Sequence, residues 1–313
     1  MPRHPKPIVA LSRCLEVEAC RYDGRSIRSS LVRALLSHAD VRAVCPEVEI
    51  GLGVPRDPIR LVARGEAVRL IQPATGRDLT RRIEAFAKGR LDDLGQVDGF
   101  ILKSRSPSCG IRDTNVFPDI EARRPVRRGA GMFGTAILER YPHAAITDEA
   151  QLTDFRNRHH FLTKLFLRAR FRAVRKRGTT AALTGFHVIN RFILLAYHRT
   201  AMKTLDRLVA NRRCYSIDVV IGKYAATLAT ALARPPRTGA VVDTLLELYT
   251  NFADRLTVRE KASFLEVLAD YGGRRVDLVS PLSEIHSWIA RTGDDYLGRQ
   301  TFLEPYPPVL MGV

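Results

Sequence analysis

The chain has 313 residues, 45% of them hydrophobic, and a formal charge of +17, enough apolar material for two domains of ordinary size. Its start, "MPRHPKPIVA", leads into a strand-like run in place of a signal-peptide core, and "FILLAY" (192–197) falls far short of the ~20 residues that cross a bilayer. Those features predict a soluble, cytoplasmic protein with no export signal or membrane span. The charge favours anionic partners such as nucleic acid or nucleotides, although a solvated basic face carries the same excess.

From the N-terminus, short runs rich in β-branched and aliphatic residues alternate with amphipathic ones. "PIVALS" (7–12), "VRAVCP" (41–46), "VDGFILK" (97–103) and "AAIT" (144–147) read as buried parallel strands. Between them, residues 25–38 place Ile27, Leu31 and Leu35 on one helical face, and 78–91 opens with an Asp and a Thr suited to capping. This order predicts an α/β class: an N-terminal three-layer domain, 1–148, around a mostly parallel sheet. Beyond it, 149–313, Phe155, His159, Leu162, Phe166 and Ala169 recur at helical spacing. Thr257 and Glu260 stand in capping-box spacing ahead of a run that stops at Gly272 and Gly273. The second half is predicted to be an all-α domain of about six helices, and its proline-rich tail, "EPYPPVLMGV", is expected to run extended.

The chain holds five cysteines, an odd and low number that argues against a disulfide framework. Cys14, Cys45 and Cys109 each follow a predicted strand, where open α/β sheets place their ligand sites. Convergent reduced thiols suggest a metal or cluster; the alternative is three unrelated buried residues. Proline, glycine and small hydroxyl residues beside them, in "CPEVEIGLGVPR" and "SPSCG", suit close backbone approach to an inorganic site.

Four motifs in order, "SRCLEVEACRYDG" (12–24), "CPEVEIGLGVPR" (45–56), "ATGRDLT" (74–80) and "LKSRSPSCG" (102–110), resemble the TudS-type thiouracil desulfidase domain over residues 7–148. Residues 154–161 and 185–211 resemble the helical domain of YbgA-like proteins fused to it. The resemblance implies a 4Fe-4S cluster held by only Cys14, Cys45 and Cys109, with one iron open to a thione sulfur. The activity it implies is a hydrolase-type, non-redox removal of sulfur from a thiopyrimidine, thiouracil giving uracil and hydrogen sulfide. Glu47, two residues beyond one ligand, suits proton transfer around the attacking water, and Ser106 is a candidate for contact with substrate or water. Ser108 is read as loop structure, Lys103 as a strand-end lysine, and Cys20 as structural, because a fourth thiolate would block the open iron. The departure from the family pattern is "CLEVEA", where a glycine is usual: Glu16 and Glu18 put the geometry of that loop in question. "GLGVPR" lacks the third glycine of a dinucleotide fingerprint, and no phosphate-loop sequence is present.

In the helical half, His187, Arg191 and His198 would share one stripe of a continuous helix. They would either face an anionic substrate or pack against neighbouring helices. The stretch 156–177 carries nine basic residues and no acidic one, which suits a phosphate backbone such as RNA or tRNA and gives a second functional reading. Phe161, Phe166 and Phe171 within it read as core. A third reading makes the helical half a lid or a homodimer interface.

Overall fold

The computed structural model describes residues 4–211 and 215–312; Cys214 lies outside them. The first part of the chain forms β1 (Ile8–Ser12), α1 (Ser30–Leu36), β2 (Asp40–Val44), α2 (Pro46–Glu49), β3 (Arg60–Arg64), β4 (Ala67–Gln72), β5 (Arg77–Asp78) and α3 (Thr80–Leu94). It continues with β6 (Gly99–Leu102), β7 (Thr114–Phe117), β8 (Arg127–Gly129), α4 (Met132–Arg140) and β9 (Ala145–Asp148). The helical part follows as α5 (Phe155–Arg177), α6 (Thr180–Ile189), α7 (Arg191–Tyr197), α8 (Arg199–Ala210) and α9 (Ile217–Ala231). After it come α10 (Thr238–Thr250), α11 (Val258–Gly272), α12 (Val279–Thr292) and α13 (Asp295–Gly298).

The four aliphatic runs expected to be strands make one parallel sheet in the order β2-β1-β6-β9. Ala10, Val44, Phe100 and Leu102 on one face pack against Leu91 and Leu94 of α3 and Phe133 and Ile137 of α4. On the other face Gly99 lies so close to Leu165 of α5 that a Cβ there would meet the leucine at 2.7 Å. An α/β region with a mostly parallel sheet followed by an all-helical region is therefore the observed class.

A second sheet, ordered β5-β4-β3-β7-β8, is absent from the sequence reading. Its strands are short and arginine-rich outside, and only its inner face, Leu61, Leu70 and Val116, reaches a core shared with Leu79 and Ile83. Such half-exposed strands lack the continuous apolar run that betrays a parallel strand. The first helix also starts later than its apolar periodicity suggests. Ile27 is taken up by a bridge with Leu15 and donates its N–H to the Cys14 carbonyl at 2.7 Å, and Ser29 caps the helix through Val32 N–H.

The chain divides into two compact units: one runs to Ala169 and takes up the chain again from Pro307, and the other spans Arg170–Tyr306. The division falls inside α5, beyond the point where the strands end. Within the second unit the capping box of Thr257 and Glu260 is present. There are nine α-helices from residue 155 on among the described residues, against about six expected. The difference comes mainly from breaks at Asn190 and His198 and from the short α13. The tail forms a 3-10 turn at Pro308–Leu310 in place of a fully extended run, and that turn packs on α1.

Candidate active site

Parallel strands bring their carboxyl ends to one edge, so residues far apart in sequence meet there. Ser12 ends β1 with Cys14 two residues on, Cys45 follows β2 directly and N-caps α2, and the loop from Lys103 to Gly110 follows β6. Cys14, Cys20, Cys45, Cys109, Glu47 and Ser106 all line a cavity of about 480 Å³ at this edge. The five residues singled out from the sequence therefore converge, and Cys20 joins them.

All four thiols are buried and none is in a disulfide. Cys45 Sγ donates to the Cys20 carbonyl at 3.9 Å. The neighbouring Cys14 thiol, reinforced by burial, pushes the Cys20 thiol up to about 11; the neighbouring Cys20 and burial likewise raise Cys45. Burial raises Cys109 as well, partly offset by the neighbouring Ser12 and Ser106 hydroxyls. Thiols held this way ionise when a metal replaces the proton. No group of three or more His, Cys, Asp or Glu side chains among the described residues is placed to hold a single metal ion. The soft, buried, all-sulfur donor set of Cys14, Cys45 and Cys109 is of the chemical kind that holds iron–sulfur clusters.

The loop carrying Cys109 is fixed from several sides. Ser106 Oγ accepts the N–H groups of Ser108 (3.2 Å) and Cys109 (3.0 Å), and Thr114 Oγ1 donates to the Ser106 carbonyl at 3.0 Å. The start of α4 holds the loop's carbonyls: Gly131 N–H to Gly110 O, Met132 N–H to Pro107 O and Gly134 N–H to Ser108 O, at 2.8 to 3.0 Å. So close an approach needs glycine, because a Cβ on Gly134 would lie 2.1 Å from the Gly110 carbonyl. At the loop's start Glu149 accepts from Lys103 Nζ (2.5 Å), Ser104 N–H (2.8 Å) and Ser104 Oγ (2.7 Å). Lys103 is therefore tied to a carboxylate as well as ending a strand.

Glu47 lies in the first turn of α2. Its Oε2 accepts from Arg56 Nε at 2.9 Å and pairs with Arg56 Nη2 at 2.8 Å, and the Arg56 side chain is only 4% exposed. Its Oε1 accepts from Ser108 Oγ at 3.1 Å, so Ser108 contacts the carboxylate as well as shaping the loop. Arg56 also donates to the Cys20 and Gly53 carbonyls. One buried guanidinium thus joins the carboxylate to the cysteine loop. Arg56 closes the second motif, and its role rests on contacts that sequence spacing does not display.

The unusual "CLEVEA" loop has its own fastening. Glu16 sits at φ 64°, a left-handed conformation that costs a non-glycine residue roughly 1 kcal/mol or more. Its carboxylate offsets this by accepting from the Ser29 N–H and from Arg33 Nε (3.0 Å) and Nη2 (3.2 Å).

The helical residues of interest do not share one stripe. The expected continuous helix breaks twice, and His198 becomes the N-cap of α8, its Nδ1 accepting from Ala201 N–H at 3.2 Å. His187 is buried between Asp206 (Nε2 to Oδ1, 2.9 Å) and Tyr224 (Nδ1 to OH, 3.1 Å), while Arg191 pairs with Asp206 and Glu247. Of the nine basic residues at 156–177, only Arg156, Arg175, Lys176 and Arg177 are exposed. Arg168 donates to the Asp98 and His143 carbonyls, and Arg170, 3% exposed, to Pro305. Phe161, Phe166 and Phe171 are core residues, as expected.

No helix among the described residues is long and apolar enough to cross a membrane. Residues 9–149 match the model of the 2-thiouracil desulfurase family, and residues 191–307 match a family described as a protein of unknown function, DUF1722. An uncharacterized protein of Bacillus subtilis (strain 168), YbbK, is 32% identical over 113 residues, which cover 33% of this chain and 73% of YbbK. A solved structure described as a 4Fe-4S-dependent thiouracil desulfidase, TudS, is 31% identical over 47% of this chain and 94% of its own, with a TM-score of 0.38. Through its N-terminal unit, therefore, the chain belongs to the 2-thiouracil desulfurase family, with a DUF1722 segment in its helical part.

Proposed function

We propose that the cavity at the strand ends removes sulfur from a thiolated pyrimidine, converting thiouracil and water to uracil and hydrogen sulfide. The observation that carries this reading is the meeting of buried thiols with a single arginine-bound carboxylate, Glu47, in one cavity. Cys14, Cys45 and Cys109 would hold the cluster, which when bound supplies a Lewis-acidic iron with one position free for a soft thione sulfur. Arg56 and Ser108 orient Glu47, whose carboxylate takes a proton from the water that replaces sulfur at the ring carbon. Ser106, held by two backbone N–H groups, presents a fixed hydroxyl beside Cys109. The test is anaerobic loading with iron and sulfide, followed by absorbance of 2- and 4-thiouracil and release of sulfide. Loss of the thione band with stoichiometric sulfide is expected; a loaded protein inert towards every thiopyrimidine would overturn the substrate assignment.

A second reading places the thiolated base within RNA. What favours it is the cavity's rim: Asn115, which lines the cavity, pairs across the sheet with Arg128, so the two side chains share a face. Arg127, which pairs with Val116 next to Asn115, is exposed, as are Arg123 and Arg124 earlier in the same connection. Salt-sensitive retardation of RNA, weakened when these arginines are replaced, supports it; no retardation at low salt removes it.

A further inference from the structure

Each of the three cysteines assigned to the cluster has a helix as its brace. Cys45 starts α2, where its N–H donates to Glu49 Oε1 at 3.2 Å, and the Cys109 loop is held by the start of α4. For Cys14 the brace is α1. The Cys14 carbonyl accepts the Ile27 N–H at 2.7 Å, and the Ile27 carbonyl accepts the Glu16 N–H at 3.0 Å. The Glu16 carboxylate, its side chain 7% exposed, accepts the Ser29 N–H and pairs with Arg33 Nη2 at 3.0 Å. Ser29 is the N-cap of α1 and Arg33 lies within it, so the loop that carries Cys14 is built on that helix. Without the clasp, Glu16 has no reason to keep its left-handed φ of 64°.

α1 itself has only seven residues, and so short a helix draws its stability from packing its apolar face. That face is Leu31, Val32 and Leu35. Among the segments packed on α1 is the far end of the chain, the 3-10 turn Pro308–Leu310. Leu310 is fully buried, and the turn is closed by its N–H on the Pro307 carbonyl at 3.0 Å and by the Met311 N–H on the Pro308 carbonyl at 2.9 Å. The turn lies past the end of both matched segments, 9–149 and 191–307, yet it belongs to the compact unit that holds the cysteines.

We propose that the C-terminal tail is a strap for the cysteine site: Leu310, by packing on α1, is a positioning residue that keeps Ser29 and Arg33 clasped on Glu16 and so fixes the loop of Cys14. This rests on the reading of Cys14 as a cluster ligand. Loss of the strap frees the α1 end of the loop first, because local opening starts where a short element loses its buried contacts. The loops of Cys45 and Cys109, braced by α2 and α4, stay in place.

The experiment compares the full-length wild type with Leu310→Ala and Leu310→Met. It reads hydrogen exchange of individual amides in the metal-free proteins and, after anaerobic loading, the rate at which a chelator removes iron. For Leu310→Ala, several-fold faster exchange is expected at the Glu16, Ile27 and Ser29 amides, with the β6 amides unchanged and iron lost several-fold faster; Leu310→Met should recover towards wild type. Unchanged exchange at those three amides, a uniform rise across the unit, or wild-type iron loss from a loaded Leu310→Ala protein would each overturn the proposal. Should that variant not fold, exchange in the wild type decides. Equal protection of the Leu310, Met311, Ile27 and Ser29 amides supports the strap, and tail amides that exchange many-fold faster than Ile27 and Ser29 overturn it. A wild type that takes up no iron refutes the cluster reading instead, and the exchange measurement still decides whether the tail holds the loop.

Discussion

The two halves of this chain both bury polar side chains, but they complete them differently. In the helical unit several buried groups turn to partners within the unit: His187 to the half-exposed Asp206 and to Tyr224, Asn190 to Thr301, and the Gln300 side-chain N–H to the Val188 carbonyl. At the strand ends, Ser12, Ser106, Glu47 and the cysteines are fastened from behind and turn their remaining capacity towards a cavity. A closed network serves packing, because every partner is internal. An open one, held rigid while donors face empty space, is the arrangement a binding or catalytic site requires.

That contrast is broken most severely at the glycine contacts behind the cysteine loop. Gly134→Ala would drive a methyl into the Gly110 carbonyl, and we expect a loss of at least about 3 kcal/mol, with failure to load iron, read by thermal melting and iron analysis. Cys45→Ala should keep the fold and lose the cluster; iron bound at wild-type level in that variant would refute the ligand set. Glu47→Gln keeps the shape and removes the base, so iron content should hold while kcat falls roughly 10²- to 10³-fold; unchanged kcat would remove Glu47 from the chemistry.

The opposite behaviour is expected in the helical unit. His187→Ala strands the Tyr224 hydroxyl and should cost about 2 kcal/mol of stability, while kcat on thiouracil stays within about twofold. A large fall in kcat without a fall in melting temperature would show that this network is not merely structural. The smallest effect concerns His159 and His160 on α5, whose burial lowers both to about 4. In the unfolded chain they protonate near 6.5, so that chain takes up protons first and stability falls as pH drops from about 6.5 to 4. His159→Phe should flatten that slope in urea titrations at pH 7 and pH 5; an unchanged slope would exclude His159 as its source.

Some elements were legible because burial left a pattern. The four strands of the parallel sheet are continuous apolar runs, and the cysteines follow them in sequence, so their meeting needs only the rule that parallel strands end at one edge. The second sheet was not legible, since Arg60, Arg64 and Arg69 interrupt the apolar runs of its strands. The stripe of His187, Arg191 and His198 failed because Asn190 turns its amide back to the Phe186 carbonyl and His198 caps a new helix. Periodicity cannot distinguish such breaks from one continuous helix.

By itself, then, the sequence determined the class of fold, the thiol-bearing strand ends and the resemblance that joins four motifs. Those depend on local pattern and on chain order. Only the tertiary structure decided what each polar atom does: that Arg56 holds Glu47, that Cys20 joins Cys14 and Cys45 in lining the cavity, that Glu16 fastens a loop where a glycine was expected, and that Ser12 takes up the Lys103 N–H. Hydrogen bonds between residues tens of positions apart depend on distance and direction in space, and these exist only once the chain has packed.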